Sequence, residues 1–144
     1  MPYSKILVPV APAHGDEARR AVKVARSLLA AEGRLTVITV IEDLPRYLKD
    51  ELDVMDPAMQ DSLRAIGDAV VEEFTAPDTE VLVRHGYATR EILDEAKGES
   101  YDCIVIPSAQ PGWEHFFLGS TASSVVRHAR CSVHVVRLPG THRS

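Results

Sequence analysis

Short runs of β-branched and aliphatic residues alternate along the chain with longer stretches whose apolar positions recur every three or four residues. Lys5-Ile6-Leu7-Val8-Pro9 reads as a buried strand that Pro9 brings to an end. After the turn-like Ala13-His14-Gly15, Asp16 can cap a helix reaching about residue 32, with Ala18, Ala21, Val22, Ala25, Leu28 and Leu29 on one stripe. Gly33 then supplies a left-handed stop. The run 35–41, Leu-Thr-Val-Ile-Thr-Val-Ile, predicts a second strand.

A polar stretch, 42–56, leads to Pro57, which suits the first position of a helix whose inner face is Met59, Leu63, Ile66, Val70 and Phe74. Residues 80–84 form a third strand, and Gly86 turns the chain into a helix carrying Ala88, Ile92, Leu93 and Ala96. Cys103-Ile104-Val105-Ile106 is a fourth strand ended by Pro107. A long loop runs to Gly119, followed by a short helix on Ala122, Val125, Val126 and Ala129, a fifth strand at 132–137 and a frayed tail. Strands separated by helices imply right-handed crossovers and a parallel sheet covered on both faces, hence one doubly wound α/β domain.

Charge narrows the range of partners. Across 144 residues, 16 Lys and Arg face 21 Asp and Glu, a net −5, which argues against non-specific nucleic-acid or anionic-membrane binding but leaves a local anion site open. The apolar stretches are too short for membrane insertion and the first residues lack a secretory pattern, so a cytoplasmic protein is expected. Cys103 and Cys131 are too few for a disulfide framework and read as buried thiols. The six histidines have no metal-ligand spacing; His128 suits a helix C-terminus and His134 a strand. The segment 42–56 sets six acids against Arg46 and Lys49 and reads as a solvated loop, with cation binding as the other reading.

In such sheets ligands bind beyond the carboxyl ends of the strands, where strand order reverses. If the first strand is central, Pro9, Val10 and Ala11 face Ile106, Pro107 and Ser108 across that crevice. Leu118-Gly119-Ser120-Thr121 enters the last helix there, and free first-turn amides with the positive end of the dipole suit a phosphate. Simple capping by Ser120 or Thr121 explains the same residues without a ligand. The standard dinucleotide and Walker glycine patterns and the GxSxG elbow are all missing, and no nucleophile–base pair is readable, so an enzyme is not expected. Trp113, Phe116 and Phe117 either line a pocket or anchor their loop.

The opening ILVPV, the second strand ending TVIE, the HGYATREIL turn and the closing LGSTASSVVRHARCSVHVVR resemble, in order and spacing, the universal stress protein family over nearly the whole chain. IPSAQPGWEHFFLGS resembles a bacterial subgroup whose loop reads roughly SHRPD in place of the glycine-rich loop. The resemblance implies a five-stranded Rossmann-like sheet of the adenine nucleotide alpha hydrolase type, order 3-2-1-4-5, in one domain at 1–138 with a flexible tail at 139–144. It also implies ATP or AMP, with or without Mg2+, bound by Pro9, Val10, Ala11, Val40, Ile106, Ser108, Gly119, Ser120 and Thr121. Val40 would offer its backbone to adenine, and Gly119, Ser120 and Thr121 would hold phosphate. Ala11 stands where the family commonly has an acid, and the pattern G-x2-G-x9-G[S/T] meets Ile106 and Ala109 where glycines are expected. A loop one residue shorter puts Pro107 and Ser108 at the usual Gly-Ser, and Pro107 has no amide hydrogen to give a phosphate.

Two functions follow as expectations. One is a stress-response regulator that binds adenine nucleotide; the alternative is a nucleotide-independent dimeric module with a vestigial crevice and an unknown protein partner. Either would be a homodimer through the last strand, whose outer edge of Val133, His134, Val135, Val136 and Arg137 invites antiparallel pairing across a two-fold axis. Slow ATP hydrolysis is compatible with the first.

Overall fold

Every strand core is a run of aliphatic and β-branched residues, and the breaks between runs fall at Gly, Pro or a helix. The computed structural model describes residues 2–12, 15–42, 57–108 and 118–137. Within these the order is β1 (Tyr3–Pro9), α1 (Gly15–Leu28), β2 (Leu29–Glu42), α2 (Pro57–Phe74), β3 (Thr79–Gly86), α3 (Ala88–Gly98), β4 (Cys103–Pro107), α4 (Ser120–His128) and β5 (Ser132–Val136). Neighbouring strands pair in parallel, in the expected order β3-β2-β1-β4-β5. The Ala13-His14 turn, the acidic stretch beyond Glu42, the loop with Ala109, Trp113, Phe116 and Phe117, and the tail lie outside the described residues.

Alternation along the strands sends side chains to two apolar layers. Ile6, Val8, Leu35 and Val37 pack with Ala21, Val22, Val70 and Phe74 of α1 and α2. Leu7, Ile38, Ile104 and Ile106 pack with Ile92, Ala96, Ala122 and Val125 of α3 and α4. The feet of β1 and β4 are tied by Asp102, whose carboxylate accepts from the amides of Ser4 (2.9 Å) and Lys5 (3.0 Å) and whose own amide donates to the Lys5 carbonyl (3.0 Å).

Three local expectations are corrected. The first helix stops at Leu28, and Leu29 already pairs with Tyr3, with a register shift before Lys5 meets Arg34. Gly33 is therefore not a left-handed helix stop. It is a point of close approach, where a Cβ would lie 2.7 Å from Leu29 Cδ1 and 3.0 Å from the Ser4 carbonyl oxygen. In α2 only Gly67, Val70 and Phe74 are buried; Met59 and Ile66 are 46% and 37% exposed. Gly67 packs against Val83 and Ile41, near the carboxyl ends of β3 and β2, so the turns before it extend past the sheet. Val126, expected on the buried face of α4, is exposed, while Val125 is fully buried.

Candidate functional site

The crevice arises from unequal ladders. Pairing of β1 with β2 continues to Pro9–Ile38, and pairing of β4 with β5 continues to Pro107–Val136. Between β1 and β4 it is confined to Ile6–Cys103 and Leu7–Ile104. Pro9 lacks the amide hydrogen that would extend that central ladder. The two strands therefore part at their carboxyl ends, with Pro9, Val10 and Ala11 on one lip and Ile106, Pro107 and Ser108 on the other.

The lips differ in what they can offer. Val10 is 5% exposed, its side chain is in the α1 layer, and its amide donates to the Ile38 carbonyl at 2.9 Å. Ile106 is 4% exposed within the opposite layer. Both therefore shape the crevice floor more than they reach into it. Ala11 is half-buried and brings only a methyl group. On β2, backbone groups alternate in direction, so those of Val40 face the same way as those of Ile38, toward β1 and past the last β1–β2 pair. That is the geometry in which a planar heterocycle can be read by backbone alone.

At the head of β4, Ser108 is 1% exposed, and its amide donates to the Val136 carbonyl at 2.9 Å. Its carbonyl accepts from the Gly119 amide at 2.6 Å, which pins the start of α4 to the end of β4. Gly119 is the N-cap residue (φ −63°, ψ 162°), and Ser123 N donates to its carbonyl at 2.9 Å. Capping by Ser120 or Thr121, the bland reading of this turn, is not what occurs: both are inside the helix, and Gly119 has no side chain to cap with. The first turn carries no acid, whereas Arg127 and His128 occupy the last, so the amino end of α4 faces the crevice as a positive pole. Ser120 is exposed and Thr121 half-buried. The structure thus brings Ser108, Gly119, Ser120 and Thr121 together and sets them across the gap from Pro9 to Ala11.

Two polar side chains escaped the sequence reading. Thr39, adjacent to Val40, is fully buried and its hydroxyl has no hydrogen-bond partner. Glu95 is 8% exposed and accepts from Arg84 Nη2 at 2.7 Å and from the Tyr101 hydroxyl at 2.8 Å. Glu95 was detectable: it sits on the apolar stripe of Ile92 and Ala96, where a charge needs a tertiary partner.

Comparison with known proteins places this geometry. The family profile described as the universal stress protein family matches residues 2–137. The chain belongs to the universal stress protein family. A universal stress protein encoded in the QAH/OAS sulfhydrylase 3′ region of Thermus aquaticus is 32% identical over 127 residues, covering 85% of this chain and 91% of that one. Universal stress protein UspA from Lactobacillus plantarum superposes with a TM-score of 0.66 at 29% identity, covering 95% of this chain and 99% of that structure. A universal stress protein family member from Arabidopsis thaliana, solved with AMP bound, shares the fold at a TM-score of 0.68 and 19% identity, over 95% of this chain and 93% of that one. The sheet order and the single domain are those of a Rossmann-like universal stress protein fold. No helix among the described residues is long and apolar enough to cross a membrane.

Proposed function

We propose that this universal stress protein is a cytoplasmic stress-response regulator that binds an adenine nucleotide, ATP or AMP, in the strand-end crevice. The observation that carries the reading is the Gly119–Ser108 hydrogen bond of 2.6 Å, which holds the amino end of α4 at the gap between β1 and β4. Phosphate oxygens would be met by the amides and hydroxyls of Ser120 and Thr121, and adenine by the backbone of Val40. The AMP carried by the Arabidopsis relative supports the ligand class. Pro9, Val10, Ala11, Ile106 and Ser108 would form the floor. A magnesium ion would have to be held by phosphate and water, because the residue-11 position gives a methyl group in place of a carboxylate. The loop beginning at Pro107 fits the subgroup that departs from the glycine-rich pattern.

No nucleophile–base pair stands among the lip residues, so the reading is of a binding protein in which hydrolysis, if measured, is slow. Homodimerisation would use the outer edge of β5. Isothermal calorimetry with ATP and AMP, with and without magnesium, tests the reading; absence of heat at millimolar nucleotide removes it.

A second reading is favoured by specific features of the same lips. The Val10 amide is already spent on Ile38, Pro107 has no amide hydrogen, and the Ala11 side chain offers no polar atom. These suit a dimeric module whose crevice is vestigial and whose output is protein docking. Partner capture and dimerisation that persist unchanged in nucleotide-free protein select this second reading.

A further inference from the structure

At the opposite end of the sheet, beside the amino ends of β4 and β5, a cavity of about 350 Å³ opens between the last turns of α3 and α4. That volume lies within the range of small-ligand sites, roughly 300–1,000 Å³. Leu93 and Ala96 of α3, Tyr101, Ala129 and Cys131 give it an apolar lining. Lys97, His128 and Arg130 also line it, against one acid, Asp94. Among the described residues neither Lys97 nor Arg130 is ion-paired.

Counted over the lining alone, Lys97 and Arg130 exceed Asp94 by one formal charge before His128 is counted. Two helix carboxyl ends add about half a negative charge each, a field that solvent and salt screen at the surface. Residues 118–137 extend the positive run, with three arginines and no acid in a chain of net charge −5. Cys131 and Tyr101 add no negative charge to that of Asp94. Burial pushes the Cys131 thiol up, and Tyr101 is pushed up by burial, held through its hydroxyl by Glu95 and covered on its ring by Lys5 Nζ at 4.7 Å, so it lines the cavity as a fixed apolar wall. His128 Nδ1 lies 3.0 Å from the Ser124 carbonyl and must donate to it, so Nε2 remains for a ligand.

We infer that this cavity is a second ligand site, built for a small organic anion with an apolar body. A carboxylate, sulfonate or phosphate head would meet Lys97 and Arg130, and an aromatic or aliphatic body would lie against Leu93, Tyr101 and Ala129. The site is at the other end of the strands from the nucleotide crevice and does not depend on it.

Anilinonaphthalene sulfonate, an apolar anion whose fluorescence rises on burial, is the probe, titrated into the intact protein with and without millimolar AMP. The expected result is saturable binding at one site that AMP does not displace and that Arg130→Glu weakens about tenfold. Ala129→Phe, which fills the cavity, should remove it. Arg130 is exposed, so its variant keeps the fold and decides the matter even if Ala129→Phe does not fold. No saturable signal, displacement by AMP, or unchanged affinity in Arg130→Glu each overturns the inference.

Discussion

The Gly119 amide donates to the Ser108 carbonyl at 2.6 Å, so the turn that starts α4 is fastened to the strand that ends at the crevice. The fastening uses backbone alone, which leaves the side chain at position 119 free to be changed. Gly119 has φ −63° and ψ 162°, a conformation open to any residue, and an aspartate at an N-cap accepts from first-turn amides. Gly119→Asp should therefore match or exceed the parent in stability, by a few tenths of a kcal/mol at about the upper end. It should nevertheless lose AMP binding in calorimetry, because its carboxylate takes the place of the phosphate. Binding that survives in a folded Gly119→Asp protein would put the nucleotide elsewhere.

The outer edge of β5 tests the dimer. Val136 turns its carbonyl inward to Ser108, so by alternation the amide of Val135 points outward from the sheet. Val135→Pro removes that outward donor while sparing the ladder to β4. The expectation of an exposed valine edge needs correcting, since Val136 is 6% exposed in the α1 layer and Val133 and Val135 are half-buried. The features at this edge are the outward backbone groups and the exposed His134. Sedimentation should give a monomer for Val135→Pro, and a persisting dimer would exclude this edge.

Thr39 offers a measurement of the orphan hydroxyl. Valine has its shape without the unmet polar atom, so Thr39→Val should raise the unfolding free energy by about 1 kcal/mol in urea melts. A loss of stability would mean that the hydroxyl is engaged in solution.

Ser100 holds the left-handed conformation, φ 58°, at the end of α3, where the Tyr101 amide returns to the Ala96 carbonyl at 3.3 Å. This is a Schellman-type ending with serine where glycine is usual. Ser100→Gly should stabilise the protein by about 0.5–1 kcal/mol, read as a rise in Tm.

Burial pushes the Cys103 thiol up from 9.0 to about 11. Its folded pKa is above the unfolded value, so its contribution to stability is complete below about pH 9 and declines as pH rises toward 11. Cys131 shifts in the same direction. Urea melts across this range should show stability falling with pH, less steeply in Cys103→Ala; an equal slope in both proteins would mean that the thiol is not the source.

The element sequence was legible because each strand concentrates β-branched residues and each break holds Gly, Pro or a cap, signals that need no tertiary knowledge. Where local pattern and tertiary pairing disagreed, pairing won. Leu29 continues the apolar rhythm of α1 yet joins β2 because Tyr3 is there to pair with it. Met59 and Ile66 continue the rhythm of α2, but periodicity carries no information about how far the sheet extends beneath a helix. At the crevice, residue types alone left both capping and ligand binding open at Gly119-Ser120-Thr121. The Gly119–Ser108 bond that positions this turn joins residues on either side of 109–117, and no local signal reports it.

The Asp102 clasp has a mechanical corollary. It locks β1 to β4 at one extremity, while the last ladder bond between them lies only a short way along. Fixed at the base and unpaired above, the two strands are each held by the ladder to an outer neighbour, so the width of the gap is set by those two ladders and by the clasp together. Loss of the carboxylate at 102 would then be felt at the far end of the strands as well as at their feet.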